Sequence, residues 1–298
     1  MGLNENTKNL IRNVVNNDLQ KAKQYAKVIL QNEKSATNQY FCKSMINALE
    51  VQPNLIELPF ELRGILKMED VSTSFNKKRY YITDREKEVF NQIDAANNTN
   101  KKLKELGIKY QNTTLLYGES GTGKTTFGRY VAYELGLPFA YINLSQCIDC
   151  HLGATSKNID KIFNYVANQK CVLMLDEIDA IALKRGKEDL GEMARIVISL
   201  MQSFDLLDNE VIVIAATNRK DMIDEALIRR FSIIHEVKRL EQGEVQDLIV
   251  KYLNDVNVKF EAENIAEYSQ THNKQSEIVK DIVKGIVRMF NEEIDFVI

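Results

Sequence analysis

The sequence predicts an α/β fold in which a parallel sheet is flanked by helices, with helical segments before and after it. Three observations predict this. Thr113-Thr114-Leu115-Leu116-Tyr117 is a β-branched, apolar and aromatic run that passes directly into Gly118-Glu119-Ser120-Gly121-Thr122-Gly123-Lys124-Thr125 and then a helix-spaced apolar stripe. Cys171-Val172-Leu173-Met174-Leu175 is apolar at every position, as a strand covered on both faces should be, and ends at Asp176-Glu177. Val211-Ile212-Val213-Ile214-Ala215 is a third such run, and it ends in Ala216-Thr217-Asn218-Arg219.

From the start of the chain, Leu10, Ile11, Val14, Val15, Leu19, Ala22, Tyr25, Ala26, Ile29 and Leu30 keep helical spacing, as do Phe41, Met45, Ile46 and Leu49. Residues 3–50 therefore read as two helices, and Pro53 and Pro59 break the pattern. Residues 51–79 read as irregular, with an exposed turn at Lys77-Lys78-Arg79, and residues 84–107 as helical again. After Thr125, the stripe Phe127, Val131, Ala132, Leu135 is ended by Gly136 and Pro138. Residues 139–144 read as a strand and residues 232–237 as the fifth. From Leu240 onward the apolar positions Val245, Leu248, Ile249, Tyr252, Leu253 and then Ile278, Ile282, Val283, Ile286, Val287, Phe290 are helical. These shifts divide the chain at residues 1–79, 80–238 and 239–298.

The glycine run matches G-x-x-x-x-G-K-T in the context that motif demands, between a strand and a helix. Residues 118–126, from Gly118 to Thr126, are the candidate phosphate cradle. Glycines let backbone N–H groups close around phosphate oxygens, and the helix N-terminus adds partial positive charge. Lys124 is placed to reach the β- and γ-phosphates, and Thr125 to put its hydroxyl on Mg²⁺. About fifty residues further on, Asp176 stands at the carboxyl end of a strand, where open α/β sheets bind ligands. A carboxylate there suits Mg²⁺, a hard cation that keeps its waters. Glu177 then serves to polarise a water for in-line attack on the γ-phosphate. Asn218, at the end of another strand, orients that water or touches the γ-phosphate; alone it would read as a turn residue.

The series GESGTGKT, LMLDEIDAI, IAATN and DEALIRRF, in this order, resembles the AAA+ ATPases, specifically the branch that unfolds or remodels other proteins. The resemblance covers residues 80–298. It implies a P-loop NTPase fold with a parallel five-stranded sheet, a C-terminal helical lid and an N-terminal helical segment. It also implies the cofactors ATP and Mg²⁺, Asn218 as the sensor residue, and Arg229 or Arg230 as an arginine finger acting on the neighbouring subunit's nucleotide in a ring, most often a hexamer. Leu227-Ile228-Arg229-Arg230-Phe231 lacks the Pro-Gly pair many members carry between two arginines, so which arginine acts stays open. An arginine arriving in trans neutralises charge on the transferred phosphoryl group. The family's pore triplet of aromatic, apolar and Gly corresponds to His151-Leu152-Gly153, a weaker grip than Tyr or Phe. Ser276-Glu277-Ile278 fits the small-plus-acidic pattern of a late lid helix, which makes Ser276 a candidate nucleotide contact. In such proteins the region before the core binds substrate or adaptor; a packing element or oligomer contact is the equal alternative here. A short helical leader before one core resembles bacterial single-ring ATPases, some encoded beside proteases, which motivates a protease among candidate partners.

Composition limits the alternatives. A net charge of −3 gives no electrostatic case for nucleic acid, although the first eighty residues hold twelve Lys/Arg against eight Asp/Glu. A DNA-handling helper of the loader or transposition type, and an ATP-dependent assembly switch, are the competing readings. No apolar run approaches the ~20 residues that span a bilayer, and Met1-Gly2-Leu3-Asn4-Glu5-Asn6 is polar, so a cytoplasmic protein is expected. The four cysteines are then reduced thiols. Cys147-Ile148-Asp149-Cys150-His151 matches C-x-x-C-H, but haem attachment needs export and zinc needs further paired ligands, so it reads as a pore-loop segment with two incidental cysteines, a redox-sensitive pair being the alternative to test.

Overall fold

Alternation along each central strand sends successive side chains to opposite faces, and here both faces are apolar. In β2 (Asn112–Tyr117), Leu115 joins one buried cluster and Leu116 the other. In β4 (Val172–Asp176), Leu173 and Leu175 face one way, Val172 and Met174 the other. In β5 (Ile212–Thr217), Val213 and Ala215 oppose Ile212, Ile214 and Ala216. Hydrophobic burial on both sides is what makes these runs continuous rather than alternating.

The structure is a computed structural model that describes residues 4–15, 19–33, 38–51, 56, 58–149, 152–180, 190–207, 210–292 and 294–298. The chain divides into two compact units, Met1–Leu55 and Ile56–Ile298. The first contains α1 (Glu5–Val15), α2 (Leu19–Asn32) and α3 (Gln39–Val51), with Ala22 and Cys42 buried. Three helices thus stand where two were expected, since the first apolar stripe is split between α1 and α2.

The second unit is built on a six-stranded sheet in the order β1-β3-β4-β5-β2-β6. Five strands are parallel, as expected: β3 (Phe139–Asn143), β4, β5, β2 and β6 (Ile233–Glu236). The sixth is an addition. β1 (Lys67–Glu69) pairs antiparallel with β3 at the sheet edge, within a stretch the sequence pattern left irregular. Three residues are too short for a periodic signal, but Met68 is buried and Ile56 N donates to Met68 O at 2.7 Å.

On one face pack α7 (Leu152–Val166), through Ile159, Ile162 and Phe163, and α8 (Leu190–Leu206), through Ile196, Leu200 and Phe204. On the other pack α4 (Asp84–Glu105), through Val89 and Ile93, and α5 (Lys124–Leu135), through Phe127 and Val131. A short α6 (Leu144–Asp149) follows β3. α4 begins at a capping box in which Thr83 and Glu86 satisfy each other's backbone N–H. α5 ends at Gly136 with φ 63, the left-handed cap predicted from Gly136 and Pro138.

A third apolar cluster closes the unit. α9 (Gln242–Asp255) supplies Val245, Leu248, Ile249 and Leu253; α10 (Ala262–Tyr268) supplies Ile265; α11 (Gln275–Glu292) supplies Ile278 and Ile282. Phe296 of the tail packs on α11 at Gly285, where an added Cβ would lie 2.7 Å from the ring. The segment before α4 touches this helical layer: Arg79 pairs with Asp255, and Lys251 donates to Tyr80 O at 2.6 Å.

Candidate nucleotide site

The carboxyl ends of four adjacent strands, β3, β4, β5 and β2, converge on the glycine run. This is where an open α/β sheet offers a crevice. Gly123 adopts φ 105, and a Cβ there would lie 2.0 Å from Gln275 Oε1; Gly121 adopts φ 83, and its Cβ would lie 2.4 Å from Ser276 Oγ. Only glycine fits either place, so the loop is fixed by backbone conformation and by the start of α11 lying against it.

Lys124 opens α5 and is buried. Its Nζ donates at 2.8 Å to Gly118 O, to Glu119 O and to Asn218 Oδ1. Burial lowers its pKa, against the pull of Asp176 and Asp179. The next residue, Thr125, donates through Oγ1 to Asp176 Oδ2 at 2.8 Å. Tyr141 of β3 donates to the same oxygen at 3.3 Å, and Glu177 N donates to Asp176 Oδ1 at 3.0 Å. Burial, with the Asp176 charge, pushes the Tyr141 phenol up to about 12. Lys124, Thr125, Asp176 and Asn218 thus form one connected group drawn from three strand ends.

Glu177 takes a left-handed backbone, φ 55, which a non-glycine residue adopts at a cost of order 1–3 kcal/mol. It is held by its surroundings. Ile178 N donates to Ala216 O, and the buried Asp179 accepts from Thr217 Oγ1 at 3.0 Å, tying both residues to β5. The Glu177 carboxylate accepts from Ser145 Oγ at 2.6 Å, while the same hydroxyl lies 2.7 Å from Asn143 Oδ1. A serine has one hydroxyl hydrogen, so it serves one of these acceptors at a time. Asn143, Ser145, Tyr141 and Asp179 escaped the sequence reading. Asn143 carried a usable signal, because it ends β3 just as Asp176 ends β4.

The remaining predicted residues fall into two groups. Ser120, Thr126 and Ser276 line a cleft of about 730 Å³ that also holds Gly121, Lys124, Asp176, Glu177 and Asn218. Ser276 N donates to Gly121 O at 3.1 Å, Thr122 Oγ1 donates to Glu119 O, and Gly118 N donates to Thr217 O. Phe75, Tyr80, Tyr252 and Val279 line the cleft as well. Among the described residues the buried Tyr80 hydroxyl has no hydrogen-bond partner. Arg229 and Arg230 do not line it. Arg229 is largely exposed and lies 3.5 Å from Glu225, one turn back; Arg230 lies 2.5 Å from Asp205. His151 and Cys150 lie outside the described residues. Cys147 is buried, with Sγ 3.9 Å from Ile65 O.

The cradle suits a polyphosphate: positive-φ glycines, a helix start and a buried lysine meet beside a threonine–aspartate pair. Among the described residues no cluster of three or more His, Cys, Asp or Glu is placed to hold a metal. Among them, too, no helix is long and apolar enough to cross a membrane.

Comparison with known proteins agrees with this geometry. Residues 114–239 match the family model described as ATPase family associated with various cellular activities (AAA). Those residues form an AAA ATPase domain. The chain is 27% identical over 248 residues, 79% of its length and 74% of the other's, to an uncharacterized AAA family ATPase, y4kL, of Sinorhizobium fredii. It is 31% identical to the proteasome-activating nucleotidase of Methanococcus maripaludis over 57% of this chain and 47% of that one. It is 38% identical to the ATP-dependent zinc metalloprotease FtsH 3 of Petrotoga mobilis over 43% of this chain and 21% of that one. The matched region thus spans less than half the length of the latter two. The AAA domain makes the protein an ATP hydrolase, with a P-loop α/β fold.

Proposed function

We propose that this AAA ATPase binds Mg·ATP between subunits of a ring and spends hydrolysis on remodelling, unfolding or regulating a protein partner. In this reading residues 80–238 carry the chemistry and residues 239–298 close over the nucleotide. Residues 1–79 bind a partner or serve as a packing element. The observation that carries it is the connected group Lys124, Asn218, Thr125 and Asp176 at the foot of a positive-φ glycine loop.

Each residue has a task. The Lys124 donors exchange protein oxygens for β- and γ-phosphate oxygens. Thr125 and Asp176 would hold Mg²⁺, which supplies charge neutralisation across the phosphates when bound. Glu177 takes the proton of the attacking water, and Ser145 fixes the orientation of its carboxylate. Asn218 joins the γ-phosphate end to Lys124. Phe75, Tyr80, Tyr252 and Val279 offer the base an aromatic and apolar wall. Arg229 or Arg230 completes a neighbour's site; the longer and more exposed contact of Arg229 favours that residue. A proteasome-activating nucleotidase and a metalloprotease among the relatives support a protein substrate and a protease partner. The buried thiols of Cys42 and Cys171 suit a cytoplasmic setting.

The test is capture with Glu177→Gln in ATP. The variant should bind ATP, fail to hydrolyse it and retain the protein partner with the assembled ring. Wild-type turnover by Glu177→Gln would remove Glu177 from its role, and a partner-free monomer in ATP would remove the ring.

A further inference from the structure

A loop built to hold a polyanion is a poor place for a carboxylate, yet Glu119 occupies its second position. Its negative charge repels phosphate unless something else engages it. Something does. Arg239, which follows β6 and stands just before α9, donates through Nε to Glu119 Oε2 at 3.0 Å and through Nη2 to the same oxygen. The guanidinium also reaches Asn273 Oδ1 at 3.4 Å, just ahead of α11. Its contact holds the Glu119 carboxyl below the usual range and the arginine above its own.

The pair sits where the chain passes from β6 to α9, from sheet to helical layer. Val237 O lies 2.2 Å from where a Gly118 Cβ would be, Leu240 N donates to Asn273 O, and Ser276 N donates to Gly121 O. Loop, connecting segment and the start of α11 therefore touch one another in sequence. The Glu119–Arg239 pair is the charged contact that joins loop to connecting segment, with the Lys274–Glu277 pair at the start of α11 near enough to act on both charges.

We propose that Glu119 and Arg239 form a latch that seats the helical layer on the phosphate loop, and that Arg239 is a positioning residue for nucleotide retention. It acts through Glu119 and not through the phosphates. The inference rests on the nucleotide reading of this site. Opening the latch lifts Gln275 and Ser276 from the loop and speeds nucleotide loss.

Electrostatics alone and the latch predict opposite signs at one position, which makes the test decisive. Removing the Glu119 charge by Glu119→Gln should tighten ADP if repulsion were the whole effect, whereas loss of a latch should weaken it. The experiment is titration of ADP onto the full chain, wild type, Glu119→Gln, Arg239→Gln and the double variant, at low and high salt. Each single variant should weaken ADP roughly two- to fivefold, the scale of an exposed, well-aligned ion pair. The double variant should be no weaker than either single, and the wild-type advantage should shrink in salt. Steady-state turnover of the Arg239 variants should show KM for ATP raised while kcat does not fall. Arg239→Lys should recover part of the affinity, which a residue with a purely packing role would not do. Thermal unfolding of each variant identifies any that fail to fold, and Glu119→Asp then replaces Glu119→Gln. Tighter ADP in Glu119→Gln, multiplicative losses in the double variant, or no change in any variant overturns the latch alone. A wild-type chain that binds no ADP overturns the nucleotide reading and the latch with it.

Discussion

The phosphate-loop end of the sheet and the turn carrying Arg229 and Arg230 are both rich in charge, but they are finished to different degrees. At the loop, Lys124, Thr125, Asp176 and Asn218 bond to one another within the chain. At the turn, the two guanidinium groups pair, among the described residues, with Glu225 and Asp205 on the surface. Buried charge must be paired to be tolerated, so the loop end can exist only as a connected group. Exposed arginines carry no such demand, since a surface ion pair contributes ~0–1 kcal/mol and breaks readily. One region is therefore complete in a single chain, and the other is free to change partners.

The sharpest way to break this comparison is Lys124→Ala. It removes the charge and three hydrogen bonds from the complete region, and ATP binding measured by titration should be lost. Next come Arg229→Ala and Arg230→Ala. One of them should lower turnover by roughly 10³–10⁵-fold at protein concentrations that support a ring, without changing ATP affinity, while the other changes little. Equal small effects from both would mean that the exposed turn has no part in hydrolysis. Glu177→Gln should cut turnover by about 10²–10⁴-fold with binding kept.

Smaller effects test the supports. Ser145→Ala takes away the bond to the Glu177 carboxylate, and turnover should fall roughly tenfold, the scale of a hydrogen bond to a charged group. ATP affinity should hold, and a variant with wild-type kcat would show that the β4 backbone alone orients Glu177. The pH dependence of binding reports the complete region too. Burial sets Lys124 below its ordinary 10.5 in the free protein, and only the protonated amine attracts phosphate. Affinity should therefore be full at neutral pH and decline as pH rises, with an inflection below 10.5.

Periodicity and composition identified the central strands because both faces of each are buried, which forces uninterrupted apolar runs such as residues 171–175 and 211–215. The glycine run was equally legible, since its spacing has one structural use. Local signals failed where an element is short or its reason is distant. β1 is held by pairing with β3 and by Met68 in the core, and neither leaves a repeat in the sequence. Ser145 and Tyr141 belong to the site through contacts 32 and 35 residues away.

The sequence by itself determined an α/β nucleotide-binding core with its lysine, threonine and two carboxylates, because each of these follows from a strand end and fixed spacing. Tertiary structure alone decided the backbone of Glu177, the hydroxyl that holds it, the approach of Ser276 to Gly121 and the partner of Glu119. Those depend on which strands are neighbours and on where the helical layer comes to rest. Such facts come from packing the whole second unit, and no window of the chain contains them.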